Sequence, residues 1–153
     1  MPDTSKQHIR PIAICVFRSD GHLFVLEGHD EVKRDTFYRP IGGGIEFWET
    51  GRAAIIREIR EEIGVEIDEL RYVGTIESLF VHRGERLHEI VQVYEGKFVD
   101  PAMNDRKRIV TGNEEGTPFK AMWLPLDAFC RGELILFPSG LLELIEQIPE
   151  PLS

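Results

Sequence analysis

Three carboxylates, Glu58, Glu61 and Glu62, recur at i, i+3 and i+4, so a helix through them sets all three on one face. Like charges at that spacing repel by roughly a few tenths of a kcal/mol per pair. Arg57 and Arg60 offset part of that repulsion from the sides. A solvated polar face opposite an apolar stripe is one reading of the cluster. The other is a site for a hard cation. Ahead of the acids stand Gly42, Gly43 and Gly44, with Glu46 and Glu49 between. Carboxylate and carbonyl oxygens are the donors that Mg²⁺ or Mn²⁺ prefers. A cation held by them bridges phosphate oxygens and polarises a phosphorus centre or its attacking water. The glycines leave room for such a ligand to approach the backbone.

The elements that position these groups follow from periodicity. IRPIAICVF and HLFVLEG read as β-rich runs joined by the turn signal Ser19-Asp20-Gly21, which suggests a hairpin. A third extended piece near TFYRPI leads into the glycines. From Gly51 to about Ile63 the period becomes helical, with Ala53, Ile56, Ile59 and Ile63 as the expected buried stripe and Gly64 at the C-cap position. ELRYVGTIESLFVH and LHEIVQVYEGKF follow as β-type runs around Arg83-Gly84-Glu85. Residues 99–118 are polar and read as a long loop. A short strand at AMWLPL and an amphipathic helix near GLLELIEQI close the chain. Strands and helices interleave, which gives a mixed α/β or α+β class.

Composition bounds the function. A chain of 153 residues, 42% hydrophobic and 29% charged, suits one soluble domain. Acids outnumber bases by 27 to 18, and the net charge of −9 argues against a bulk nucleic-acid binder. It leaves open a small anion held through a cation. Cys15 and Cys130 form no C-x-x-C pair and are expected to be reduced thiols. With no leader-like start and no long apolar run, a cytoplasmic location without membrane contact is expected.

Residues 43–65 read GGIEFWETGRAAIIREIREEIGV. This resembles the Nudix box, G-x5-E-x7-R-E-U-x-E-E-x-G-U with U aliphatic, and every specified position matches. The resemblance implies the Nudix fold, a mixed β-sheet sandwiched between α-helices, spanning residues 9–148. Residues 1–8 would then be a flexible lead-in and 149–153 a tail. It also implies a metal-dependent hydrolase of acid anhydrides of phosphorus. Its substrate would be a nucleoside di- or triphosphate or a related nucleotide, cleaved by water activated through Mg²⁺ or Mn²⁺. Glu58, Glu61 and Glu62 would ligate the metal with the Gly43 carbonyl. Arg57 and Glu49 would hold the loop to the helix, and Gly64 would end the helix.

The general base is either a box glutamate or a glutamate from a late loop, where Glu114 and Glu115 stand in TGNEEGTPF; Glu95 is a weaker candidate. Trp48 stands where the box often has a small residue, and either stacks on a base or packs over the loop. Arg39, Arg83, Arg86 and His88 are the remaining candidate substrate contacts. Arginine's planar fork suits phosphate, but the hairpin tip puts Arg83 and Arg86 equally in solvent. The segment LFVHRGERL lacks the proline of many ADP-ribose pyrophosphatases and the tyrosine of diadenosine-polyphosphate hydrolases. Rival readings are a nucleotide-sugar pyrophosphatase acting on ADP-ribose and a non-catalytic nucleotide-sensing module. A homodimer is a further possibility that the family allows.

Overall fold

Strand β1 (Ile9–Val16) buries both of its faces. Ala13 and Cys15 enter one core with Phe17, while Ile14 and Val16 enter a second. Strand β3 (His22–Asp30) does the same, sending Phe24 and Leu26 to the first core and Leu23 and Val25 to the second. Strands covered on both faces read as continuous apolar runs, as IAICVF and LFVL do. These statements come from a computed structural model, which describes residues 7–114 and 116–149.

The two central strands belong to different sheets. One sheet has the order β5-β1-β7-β6, built with β5 (Ile41–Gly44), β6 (Ile67–His82) and β7 (Glu85–Phe98). Its β1–β7 pair is parallel and its other pairs are antiparallel. The second sheet has the order β2-β3-β9-β8, with β4 (Asp35–Arg39) also pairing β3. Here β2 is Arg18–Ser19, β8 is Ile109–Glu114 and β9 is Thr117–Pro125. Helix α1 (Gly51–Ile63) packs on the first core, and α2 (Leu126–Cys130) and α3 (Leu141–Glu146) supply Phe129, Leu141 and Ile145 to the second. Sheets thus lie between helices, as expected.

Several local expectations are corrected. The Asp20-Gly21 turn joins β2 to β3, not β1 to β3, because β1 pairs with β5 and β7 instead. The extended piece near Tyr38 splits at Pro40 into β4 and β5, one in each sheet. The segment 99–118 is not a loop. It holds a 3₁₀ turn at Pro101–Asn104 and the β8–β9 hairpin, and Met103 is buried there beneath Trp123, whose indole N–H donates to the Met103 carbonyl at 2.8 Å. The buried stripe of α1 is also displaced. Ala53 is exposed, Ile56 and Ile63 are half-buried, and the face that packs is Gly51, Ala54, Ile55, Ile59 and Glu62.

The ends of α1 follow their residues. Thr50 caps the N-terminus by accepting from the Ala53 amide at 3.1 Å. Gly64 takes the left-handed conformation, φ 67°, and donates to the Arg60 and Ile59 carbonyls. Ahead of the helix, β5 lies so tight on β1 that a Cβ at Gly42 would stand 2.1 Å from the Ala13 carbonyl oxygen and 2.7 Å from Ile14 Cα. Both obstacles are backbone at the centre of the sheet, so neither can swing aside. Gly42→Ala is expected to destabilise the protein by about 3 kcal/mol, read as a lowered urea midpoint at unchanged slope; a midpoint within error of wild type would contradict this packing.

Candidate active site

Arg57 is the hub between the glycine strand, the following loop and α1. Its Nε and Nη2 donate to the two carboxylate oxygens of Glu49, each at 2.8 Å, a planar fork on a planar acceptor. Nη2 also donates to the Gly44 carbonyl at 3.0 Å, and Nη1 to Glu58 at 2.9 Å and Glu61 at 3.3 Å. The fork holds the Glu49 carboxyl down at about 2, and the surrounding acids raise Arg57 beyond its ordinary value. Glu49 further accepts from the Glu46 amide, which closes the loop. Within that loop Trp48 is forced to φ 67°, and both Trp48 and Phe47 stand almost wholly in solvent.

The three helix acids do not share one environment. Glu61 is the solvated one, its side chain 59% exposed. Glu58 is mostly covered and leans on β5, so that a Cβ at Gly43 would lie 2.6 Å from its carboxyl carbon. Glu62 lies on the buried stripe, and neither of its oxygens has a hydrogen-bond partner among the described residues. Burial pushes its pKa to about 9, helped by the neighbouring Glu58 and Glu114 and opposed by Arg39. Protonated, Glu62 can donate to Glu58; ionised, the two carboxylates could only accept, and the pair would be left without a donor.

Among the described residues no three His, Cys, Asp or Glu side chains are gathered as a ready metal cage. The buried Glu62 oxygens, which no described residue satisfies, nonetheless fit a hard cation together with Glu58 and the bare Gly43 backbone, all of them oxygen donors.

A cavity of about 300 Å³ opens from this place between the two sheets. Gly42, Gly43, Arg39 and Glu114 line it, as do Phe37, Phe80 and Phe137. Arg39 pairs with Glu114 at 2.5 Å. Strand β8 is pressed against the end of α1, where a Cβ at Gly112 would be 2.5 Å from the Glu62 carbonyl oxygen, and this brings Glu114 within reach of Glu62. Three further acids line the cavity, Asp30, Asp35 and Glu89. Asp30 is buried and accepts from the Val32, Lys33 and Arg83 amides at 3.0–3.1 Å, which hold it below its ordinary range. Glu89 is 9% exposed, with its pKa raised by burial against the pull of Arg10 and Arg39.

The NUDIX domain model matches residues 7–147. The chain belongs to the NUDIX family. Comparison with curated proteins gives no match. Among solved structures, a NUDIX hydrolase from Nitrosomonas europaea superposes with a TM-score of 0.64 at 16% identity, covering 91% of this chain and 87% of that one. A MutT protein described from Aliivibrio salmonicida and Vibrio cholerae gives 0.58 at 16%, covering 92% and 100%. A MutT NUDIX hydrolase from Burkholderia pseudomallei gives 0.52 at 16%, covering 95% and 91%. These likenesses confirm the shared fold. The expected enzyme class, a hydrolase of phosphorus anhydrides, stands with the family.

Within this NUDIX domain the candidate residues separate. Glu49, Arg57, Glu58, Glu62, Gly43, Arg39 and Glu114 converge, whereas Glu115 lies outside the described residues. Trp48 stands in solvent with its ring 6.3 Å from that of Phe47 and does not line the cavity. Arg83 is exposed at its turn, while Arg86 and His88 line a separate groove beside Ile9 and Leu79. The His88 Nε2 is buried without a hydrogen bond, 3.6 Å from Glu77. Glu95 is engaged by Arg18 and Arg71 and does not line the cavity. Arg10 and Glu89 went unread in the sequence. The signal was there: Leu87, Glu89, Val91 and Val93 alternate onto one face, and an acid in that row stands out. No helix among the described residues is long and apolar enough to cross a membrane.

Glu62 makes a pH dependence with a definite sign. Below about pH 4.5 it is protonated in both folded and unfolded chains; from there to about pH 9 only the folded chain keeps the proton, so stability falls as pH rises. In chelator-treated protein at pH 8, Glu62→Gln is expected to melt about 3 °C or more above wild type, the shift that roughly 1 kcal/mol produces at this size. At pH 4.5 the two should melt together. A variant that melts lower than wild type at pH 8 would refute the unpaired buried carboxylate.

Proposed function

We propose that this NUDIX domain hydrolyses the diphosphate linkage of a nucleoside di- or triphosphate, or a related nucleotide, with Mg²⁺ or Mn²⁺. The observation that carries this reading is Glu62, a buried carboxylate with both oxygens unpaired beside a second carboxylate. Such a group costs stability for as long as nothing positive joins it. A domain that only sensed nucleotide would be more stable with a neutral residue there. Glu58, Glu62 and the Gly43 carbonyl are the groups that would hold the cation, with Glu61 adding a ligand from the solvent side.

When bound there, a divalent cation would neutralise phosphate charge and make phosphorus a better electrophile. The chain does the rest. Arg39, at the cavity end lined by Gly43, and Arg10, whose guanidinium is close to Gly44, offer forked donors for phosphate oxygens. Glu114, held at the cavity mouth by Arg39, is the base in this reading. It takes a proton from water as the water oxygen bonds phosphorus; the anhydride P–O bond breaks, and the electron pair leaves on the departing phosphate.

A panel of nucleoside di- and triphosphates with ADP-ribose, each incubated with Mg²⁺ or Mn²⁺ and scored for released phosphate or pyrophosphate, tests the reading. Turnover is expected for at least one mono-nucleotide and is lost in chelator. Turnover of ADP-ribose alone would move the substrate to nucleotide sugars, and none at all would remove the proposal. With the best substrate, Glu58→Gln and Glu62→Gln should each lower kcat by about 100-fold or more, against the gain in chelator-treated stability of the latter. Glu114→Gln should lower kcat by about 100-fold through loss of the base; a fall of less than about threefold would transfer that role elsewhere.

A further inference from the structure

One face of the first sheet is covered by α1 at one end and open at the other among the described residues. Ala13 and Cys15 of β1 pack there with Ala54, Ile55 and Ile59 of α1, and a Cβ at Gly51 would stand 2.0 Å from the Gln92 Oε1 of β7. Side chains alternate along a strand, so Ile9 faces the same way as Ala13, and Arg86 and His88 face the same way as Gln92. Beyond the helix these residues, with Leu79 and Val81 of β6, line an open groove of about 460 Å³. Its apolar members Ile9, Leu79 and Val81 are exposed. Arg86, also exposed, enters no ion pair among the described residues.

The loop that enters α1 stands beside this groove. Its Ile45 packs on the same core as α1 and donates its amide to the Pro11 carbonyl at 3.0 Å, two residues along β1 from Ile9. The Arg57–Glu49 fork fixes the other end of the loop to the helix. At its tip Phe47 and Trp48 are 97% and 94% exposed, with their rings 6.3 Å apart. Trp48 holds φ 67°, a conformation that costs free energy in a bulky residue. Two large aromatics held stiffly in water mark a contact surface, since such rings dominate interface energetics. Glu46 beside them is 69% exposed, with Arg57 at 3.6 Å as its cation.

We propose that this face is a two-fold interface between copies of the chain, the Phe47–Trp48 prong of each entering the Ile9–Leu79–Val81 groove of the other. Prong and groove share one face of one sheet, so a two-fold axis between two such faces makes both contacts at once. That is the closed, isologous arrangement, which stops at two copies. Charge agrees with shape, because Glu46 flanks the prong and Arg86 flanks the groove. His88 on the groove already has Glu77 at 3.6 Å, which leaves Arg86 as the cation for Glu46. A Phe or Trp buries roughly 150–250 Å². Four such rings, with the groove surface that receives them, reach the roughly 1,200–2,000 Å² of a stable interface. The cavity takes the opposite face of β1, at Arg10, Ile12 and Ile14, and this pairing does not use it.

Sedimentation equilibrium of the full chain tests this. Wild type is expected to form a dimer with a Kd of about 10 µM or tighter, within the range for an interface of this size. Phe47→Ala, Trp48→Ala and Leu79→Lys should each weaken association by about 10-fold or more. Glu46→Arg and Arg86→Glu should each weaken it, and the two together should restore it. Melting curves of dilute protein confirm that the variants, all at exposed positions, fold. Iodide quenching gives a second measure: Trp123 is buried within each chain, so only Trp48 can lose exposure, and quenching should fall as wild type is concentrated. A monomer at every concentration up to about 200 µM, or assembly that grows beyond two copies, would overturn the proposal. So would a dimer indifferent to the prong variants, one lost in them but kept in Leu79→Lys, or a double charge reversal no tighter than either single one.

Discussion

The fork from Arg57 to Glu49 is the contact on which the rest of the site depends. It spans eight residues, from the loop to the helix, and the same guanidinium reaches back to the Gly44 carbonyl and out to Glu58 and Glu61. Each of those partners belongs to a different structural job: the strand that carries Gly43, the loop turn, and the helix face with the acids. Besides the fork, the loop is held by its Glu46–Glu49 turn, by the Ile45 amide donating to the Pro11 carbonyl and by the Thr50 cap. The strength of the fork also explains how the loop tolerates Trp48 in a left-handed conformation with its ring in water. A local strain of this kind, about 1 kcal/mol or more, persists only where stronger contacts on both sides overrule it.

Rigid placement of α1 then forces a choice about Glu62. Its neighbours on the packed face, Ile55 and Ile59, are wholly buried, and β8 closes against the helix end at Gly112. Rotating the helix to release Glu62 would expose the isoleucines and break the Arg57 contacts together. The carboxylate is therefore held in place by interactions that do not involve it. That is how a fold keeps an unfavourable group: the stabilising terms lie in the apolar stripe and the fork, and the destabilising one lies at the site.

The parts of this arrangement visible in the sequence are those encoded locally. Glu49, Arg57, Glu58 and Gly64 sit at fixed offsets on one loop and helix, and their contacts are short in sequence. The burial of Glu62 was hidden because Ala53, Ile56 and Ile63 fit a helical period almost as well as Ala54, Ile55 and Ile59, and only packing against β5, β1 and β8 chooses the phase. The β8–β9 hairpin was hidden for a different reason. Ile109, Thr111 and Asn113 face solvent, and Gly112 on the inner face presents no side chain, so the strand shows little alternation of polarity. Pairing of β1 with β7 is non-local and parallel, and no turn signal announces it. Glu89 shares that difficulty, because its place on the cavity wall exists only once β7 lies beside β1.

Arg39 lines the cavity because of where the chain changes sheets. Strand β4 belongs to the second sheet and β5 to the first, with only buried Pro40 between them. A residue before proline is restricted to extended backbone, so Arg39 is fixed at the point where the sheets diverge. From there it pairs with Glu114 and lies within electrostatic reach of Glu62 and Glu89. The cleft and the cation at its corner share one cause, the crossing of the chain at Arg39-Pro40-Ile41. Five residues later the same crossing has delivered Gly42, Gly43 and Gly44 to the helix acids. The proximity of Arg39 and the glycine strand to the helix acids is thus a property of topology.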